Sequence, residues 1–127
     1  MLNILSFNAA GLADKVKRKT LFFYLRQLNP DIVFLQETHA TLETESLWNL
    51  EWGSPILFSH GTSRAKGVAI LFSNNLNYCM EHVEFVDNGR FIVAHINCNS
   101  KSLCLANIYA PNNNSGPFFE NILGQPP

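Results

Sequence analysis

Two short apolar runs flanking one amphipathic run constrain this chain more than any other feature. Leu2 to Phe7 is short and mostly apolar, and Asn8 and Gly11 stop it, so it reads as a buried strand. Lys15 to Leu28 carries Leu21, Leu25 and Leu28 at i, i+4 and i+7, with Phe22 widening the stripe. That spacing predicts a helix, ended by Asn29-Pro30 because the residue before a proline is pushed out of helical geometry. Asp31 to Gln36 is a second, nearly continuous apolar run and reads as a second buried strand. A strand, a helix and a strand of this kind form a βαβ crossover, which makes the two strands parallel.

The pattern then changes. Thr41 to Trp52 reads as a shorter helix, with Glu43 and Glu45 in its first turn, where the helix dipole favours anions. Pro55 to Ser59, Gly67 to Ser73, Asn77 to Val86, Arg90 to Cys98 and Leu103 to Tyr109 follow as strands. Turn residues join them, at 73–75, 87–89 and 99–102, so antiparallel hairpins are expected. A loop at 110–117 precedes the possible start of a helix at Phe118 to Leu123. The coarse fold is α/β: a mixed β-sheet with two helices on one face.

That arrangement carries a packing problem. Ile32 to Leu35 and Val68 to Phe72 are apolar on both faces, and two helices cover only one. The expectation is that the second face needs a layer the chain does not supply. With 127 residues there is room for one small domain. A hydrophobic content of 46% against 15% charged residues excludes a disordered chain. The net charge of -1 gives no global pull toward nucleic acid, so any such contact rests on local patches. Cys79, Cys98 and Cys104 are odd in number and scattered, without zinc-ligand spacing, and read as reduced apolar fillers. The opening apolar run is too short and polar for a signal peptide or membrane span.

Polar residues stand where the apolar strands end: Asn8, Glu37, Tyr109 and Asn112. Ligands gather at the carboxyl ends of parallel strands. Glu37 is the most telling of these, because a carboxylate beside a buried strand is costly unless it is paired or metal-bound. A hard oxygen ligand suits Mg²⁺, which takes one or two carboxylates and keeps several waters. The alternative is that Glu37 caps the next helix or pairs with a lysine.

Four segments occur in order: Ser6-Phe-Asn-Ala-Ala-Gly-Leu12, Leu35-Gln-Glu-Thr-His39, Gly67-Val-Ala-Ile-Leu71 and Asn107-Ile-Tyr-Ala-Pro-Asn112. Together they resemble the first motifs of the endonuclease/exonuclease/phosphatase superfamily. The likeness is strongest to the endonucleases of LINE-type retrotransposons and to exonuclease III and apurinic endonucleases, and Asp87-Asn-Gly-Arg90 fits the same pattern. The resemblance implies that residues 1–127 are the N-terminal portion of a four-layered α/β sandwich.

It also implies roles. Asn8 would lie beside the metal and the scissile phosphate, Glu37 would be the metal ligand, and Tyr109 would hydrogen-bond the phosphate. The implied cofactor is Mg²⁺, with Mn²⁺ as a substitute, and the implied partner is DNA. Apurinic endonucleases carry an Asp where this chain has Ala10, which favours the retrotransposon-like branch. The family continues with Gly-Asp-Phe-Asn and Ser-Asp-His motifs, which are expected beyond Pro127. A nuclear location follows only from a DNA substrate.

The remaining candidates are weaker. Arg64 and Lys66 lie in a Gly/Ser loop that could meet phosphates, as could Asn112. Lys15, Lys17, Arg18 and Lys19 form a basic cluster that reads as a solvated helix face or a DNA-backbone contact. Trp48 and Trp52 could stack on a base but read as core, His39 reads as an exposed loop residue, and His60, His82 and His95 as residues without identifiable partners. The reading that results is a metal-dependent DNA phosphodiesterase of retroelement type. Its alternatives are an inactive retroelement-derived fragment and a phosphodiesterase acting on a phospholipid headgroup.

Overall fold

A computed structural model describes residues 1–61, 66–86 and 89–110. The first βαβ unit is present: β1 (Ile4–Asn8), α1 (Lys15–Gln27) and β2 (Ile32–Gln36), with β1 and β2 parallel and Ile4 opposite Ile32. The side chain of Asp14 caps α1 by accepting from the backbone N–H groups of Val16 and Lys17. The chain leaves α1 through Asn29 in the left-handed region and Pro30. A 3-10 turn, Leu42–Thr44, leads into α2 (Glu45–Trp52). Gly53, at φ +84°, ends α2.

Two antiparallel strands extend the first sheet. They are β3 (Ile56–Ser59) and β4 (Val68–Phe72), and the order across the sheet is β1-β2-β4-β3. Alternation along β2 sends Val33 and Leu35 to the helices. There they pack with Phe22, Leu25, Trp48, Trp52 and Leu71. Both tryptophans are core residues, as expected, and the indole N–H of Trp52 donates to the Phe72 carbonyl at 2.9 Å.

The other face is covered, contrary to expectation. The hairpin strands β5 (Tyr78–Val86), β6 (Phe91–Cys98) and β7 (Lys101–Ile108) do not join the mixed sheet. They form a separate antiparallel sheet, whose Ile92, Ala94, Ile96 and Leu105 pack against Ile32, Val68, Ile70 and Phe72. The chain therefore supplies its own second layer. The unbroken apolar run of β4 is explained by burial between α2 and this second sheet, since all five of its residues are buried. Periodicity marks strands, but it cannot tell which strands share a ladder.

A second expectation also changes. Among the described residues β1 has one strand neighbour, β2: Leu5 and Phe7 are half-buried, while Ile4, Ser6 and Asn8 are exposed. The basic cluster is not a uniform solvated face either. Arg18 is only 3% exposed and makes a bidentate pair with Glu51 at 2.5 and 3.1 Å, so it is a strut between α1 and α2. No helix among the described residues is long and apolar enough to cross a membrane.

Candidate metal and phosphate site

The parallel strands β1 and β2 stay joined beyond their ends. Ala9 N–H donates to the Gln36 carbonyl, Gly11 N–H to that of Glu37 and Leu12 N–H to that of Thr38, at 2.7 to 2.9 Å. From the other side, Thr38 N–H donates to the Gly67 carbonyl and His39 N–H to that of Lys66. Glu37 is thus held on both sides, and it sits at φ +54°. A side chain in that region costs of order 1 kcal/mol or more, which the surrounding bonds must offset. Such strain concentrates where a side chain has to be aimed.

Gly67 makes the clamp possible. Its φ is +96°, and a Cβ there would collide with the hydroxyl of Thr38. Its N–H donates to Gly89, whose own N–H donates to Ser59 Oγ at 2.9 Å. Two glycines, Gly67 and Gly89, therefore link the turn after β2 to the end of β3 and to the turn before β6.

Tyr109 arrives from the second sheet. Its N–H donates to the Arg90 carbonyl at 2.7 Å, and the Arg90 guanidinium lies 5.7 Å from its ring centroid. Its hydroxyl donates to Glu37 Oε1 at 3.2 Å. Burial, then the Glu37 charge and the hydrogen bond to it, push the phenol above its ordinary range, although Arg90 opposes them. Tyr109 is therefore a protonated donor at neutral pH.

The sheets are locked together beside this contact by Asn107, which is 1% exposed. Its amide donates to the Leu35 carbonyl at 3.0 Å and the Ala69 carbonyl at 2.7 Å, and its oxygen accepts from Gln36 at 2.8 Å. Gln36 also donates to Ser6 Oγ. Every polar atom of that buried amide is satisfied. Asn107, Gln36, Ser59 and Arg90 carry no role in the local sequence pattern. One signal was available for Asn107: a buried-type position in an otherwise apolar strand occupied by an amide.

The remaining expected site residues fall out as follows. Asn8 lies opposite Gln36, one position before Glu37 on the neighbouring strand. Its side-chain oxygen accepts from Ala10 N–H at 3.0 Å, turning the chain back over the strand end. Lys66 is placed by its backbone, at φ +65° with its carbonyl bound to His39. Arg64 and Asn112 lie outside the described residues, as does the helix expected at Phe118 to Leu123. His39 is half-buried rather than exposed, with its ring close against Gly11. His60 has a partner after all, Glu45 at 2.6 Å.

Among the described residues no three His, Cys, Asp or Glu side chains cluster closely enough to hold a metal ion. Glu37 provides one carboxylate, with the Tyr109 phenol beside it and Asn8 on the next strand. That set fits Mg²⁺ as one side of a shell, because Mg²⁺ needs only one or two protein carboxylates and retains waters elsewhere.

Comparison with known proteins bears on the family and the fold. Residues 2–124 match the model of the Endonuclease/Exonuclease/phosphatase family. The chain belongs to the endonuclease/exonuclease/phosphatase family. It is 34% identical over 125 residues to a transposon TX1 uncharacterized 149 kDa protein of Xenopus laevis, covering 95% of this chain and 9% of that protein. Its fold matches an AP endonuclease from Archaeoglobus fulgidus with a TM-score of 0.69 at 23% identity, over 98% of this chain and 49% of that one. It also matches D. rerio TDP2 complexed with a single-strand DNA product, with a TM-score of 0.66 at 19% identity, over 96% of this chain and 52% of that one. The chain thus spans about half of these family structures and a small part of the transposon protein. The two-sheet arrangement with helices on one outer face matches about half of each of those folds.

Proposed function

We propose that residues 1–127 form one side of the active site of a metal-dependent DNA phosphodiesterase of retroelement type. The observation that carries this reading is the hydrogen bond from Tyr109 to Glu37. It joins two sequence motifs 72 residues apart at the carboxyl end of a parallel strand pair. The likeness to a transposon protein and the fold shared with an AP endonuclease and a DNA-bound TDP2 support DNA as the substrate. A DNA substrate would place the protein in the nucleus.

Each residue then has a physical task. Glu37 would hold Mg²⁺, or Mn²⁺ in its place, through a carboxylate whose direction is fixed by the clamped backbone. When bound, the ion would polarise the phosphoryl group and stabilise the leaving oxygen. Tyr109, kept protonated, would donate to a phosphate oxygen as negative charge develops. Asn8 would orient a phosphate oxygen or the Glu37 carboxylate through its amide. Lys66, with Arg64 and Asn112, would meet the DNA backbone as a point charge and hydrogen-bond donors.

The domain to which these residues belong is expected to cleave supercoiled plasmid with Mg²⁺ and to leave phosphoinositide and sphingomyelin vesicles intact. Release of a phosphorylated headgroup from either vesicle, with plasmid untouched, would replace DNA by a lipid substrate.

A further inference from the structure

The second sheet carries a group of metal-ligating side chains that has no part in the site around Glu37. His95 on β6 lies directly opposite His82 on β5 and directly opposite Cys104 on β7. Its neighbours Ala94 and Ile96 are buried in the inter-sheet core, so the exposed His95 points to the outer face. The row His82, His95, Cys104 therefore crosses three adjacent strands on the face turned away from the first sheet, and all three residues are exposed.

A β-bulge creates this row. Met80 pairs with Ile96, yet His82 pairs with His95, so β5 spends one extra residue, Glu81, within one step of β6. In unbroken register Glu81 would face His95, and His82 would face Ala94 toward the core. The bulge turns His82 outward instead. The two imidazole rings stand with their centroids 5.9 Å apart and 35° between their planes. Glu84, two residues along β5, has Oε1 3.1 Å from Nε2 of His82. A carboxylate that accepts from Nε2–H fixes the orientation of the ring and leaves Nδ1 as the ligand atom.

We propose that this row is a surface site for a borderline divalent transition-metal ion, represented by Zn²⁺. His82 and His95 are its nitrogen ligands, Cys104 is its thiolate ligand, and Glu84 orients His82. As the side chains stand, two imidazoles are gathered and the thiol is not yet with them, so Cys104 must turn toward His95 as the ion binds. Among the described residues no three such side chains converge as they stand, but directly opposed strand positions have Cβ atoms about 4.5–5.5 Å apart, which makes Cys104 a direct neighbour of His95. Imidazole and thiolate donors suit Zn²⁺ and disfavour Mg²⁺, so this site and the Glu37 carboxylate would select different ions.

The test is titration of the whole chain with Zn²⁺ by calorimetry, with the cysteines kept reduced by a non-thiol reductant. The expected result is one saturable site, lost in the His82→Gln/His95→Gln double variant and weakened in Cys104→Ser. Glu84→Ala is expected to weaken binding by roughly tenfold or more, as loss of an outer-shell carboxylate does. Glu37→Gln should leave Zn²⁺ affinity unchanged, which separates this site from the one around Tyr109. The residues altered on the second sheet are exposed, and a melting curve matching the parent's establishes that each variant is folded. Absence of saturable Zn²⁺ binding overturns the proposal. So does binding that survives the double variant, or that disappears with Cys79→Ser while His82 and His95 are intact.

Discussion

The hydroxyl of Tyr109 donates to the carboxylate of Glu37 across 3.2 Å, joining the end of the second sheet to the turn that closes a parallel strand pair in the first. Neither residue is aimed by its own preference. Glu37 is held at φ +54° by backbone bonds on both sides. Tyr109 is held by its bond to the Arg90 carbonyl and by the guanidinium over its ring. The contact places a protonated donor next to a hard anionic ligand, which is an arrangement suited to a metal-bound phosphate.

Tyr109→Phe separates the donor from the ring packing. Removal of one preorganised donor to developing charge costs about 10²-fold or more in turnover. Plasmid cleavage should fall by that factor, with Mg²⁺ affinity little changed. The variant also reports on pH. Tyr109 has its pKa raised in the fold, so its contribution to stability is complete below the ordinary phenol value of 10.0 and is lost as pH rises through the folded value. Urea melts at about pH 8 and about pH 11 should show the parent losing more stability than Tyr109→Phe.

Asn107→Leu tests the lock between the sheets. The substitution leaves the carbonyls of Leu35 and Ala69 and the amide of Gln36 without a partner they now have. An unsatisfied buried polar group costs about 1–3 kcal/mol, so a loss of about 3 kcal/mol is expected in a denaturant melt. A loss below about 0.5 kcal/mol, the range of ordinary surface substitutions, would mean that the amide is dispensable.

Gly67→Ala tests the clamp on Glu37. The added Cβ meets the Thr38 hydroxyl and the His39 backbone nitrogen, at a φ that side chains rarely adopt. Destabilisation of about 1–3 kcal/mol is expected. Because the same bonds orient Glu37, weaker Mg²⁺ binding at temperatures where the variant is still folded should accompany it.

These elements differ in how legible they were. The βαβ unit, both helices and all five later strands were apparent from apolar spacing and turn residues, because period and punctuation are local properties. Asn8, Glu37 and Tyr109 stood out because each follows an apolar strand, where a polar side chain is otherwise costly. The division into two sheets was not apparent, since β5 to β7 have the same local pattern whichever sheet they join. The role of Asn107 was hidden for the same reason: its partners are the Leu35 and Ala69 carbonyls, which only the stacking of the sheets brings near. Arg18 looked like one of four solvated cations until α2 placed Glu51 against it.

Arg18→Met tests that strut. The hydrogen bond from Arg18 holds the Glu51 carboxyl below its ordinary 4.5, against the opposing effect of burial. A depressed carboxylate contributes stability that is present above the unfolded value and lost as pH falls through the folded one. Breaking such a buried pair costs about 3 kcal/mol near neutral pH. The gap between parent and variant in thermal melts should narrow on acidification below pH 4.5.

The central claim is that Glu37 carries the metal that cleaves DNA, and its most direct test is nicking of supercoiled plasmid by the domain containing these residues, with and without Glu37→Ala. Nicking that requires Mg²⁺ or Mn²⁺, and that falls at least about a hundredfold in a Glu37→Ala variant with an unchanged melt, is the expected result. Nicking by that variant at the parent's rate, or nicking that persists in a metal chelator, would contradict it.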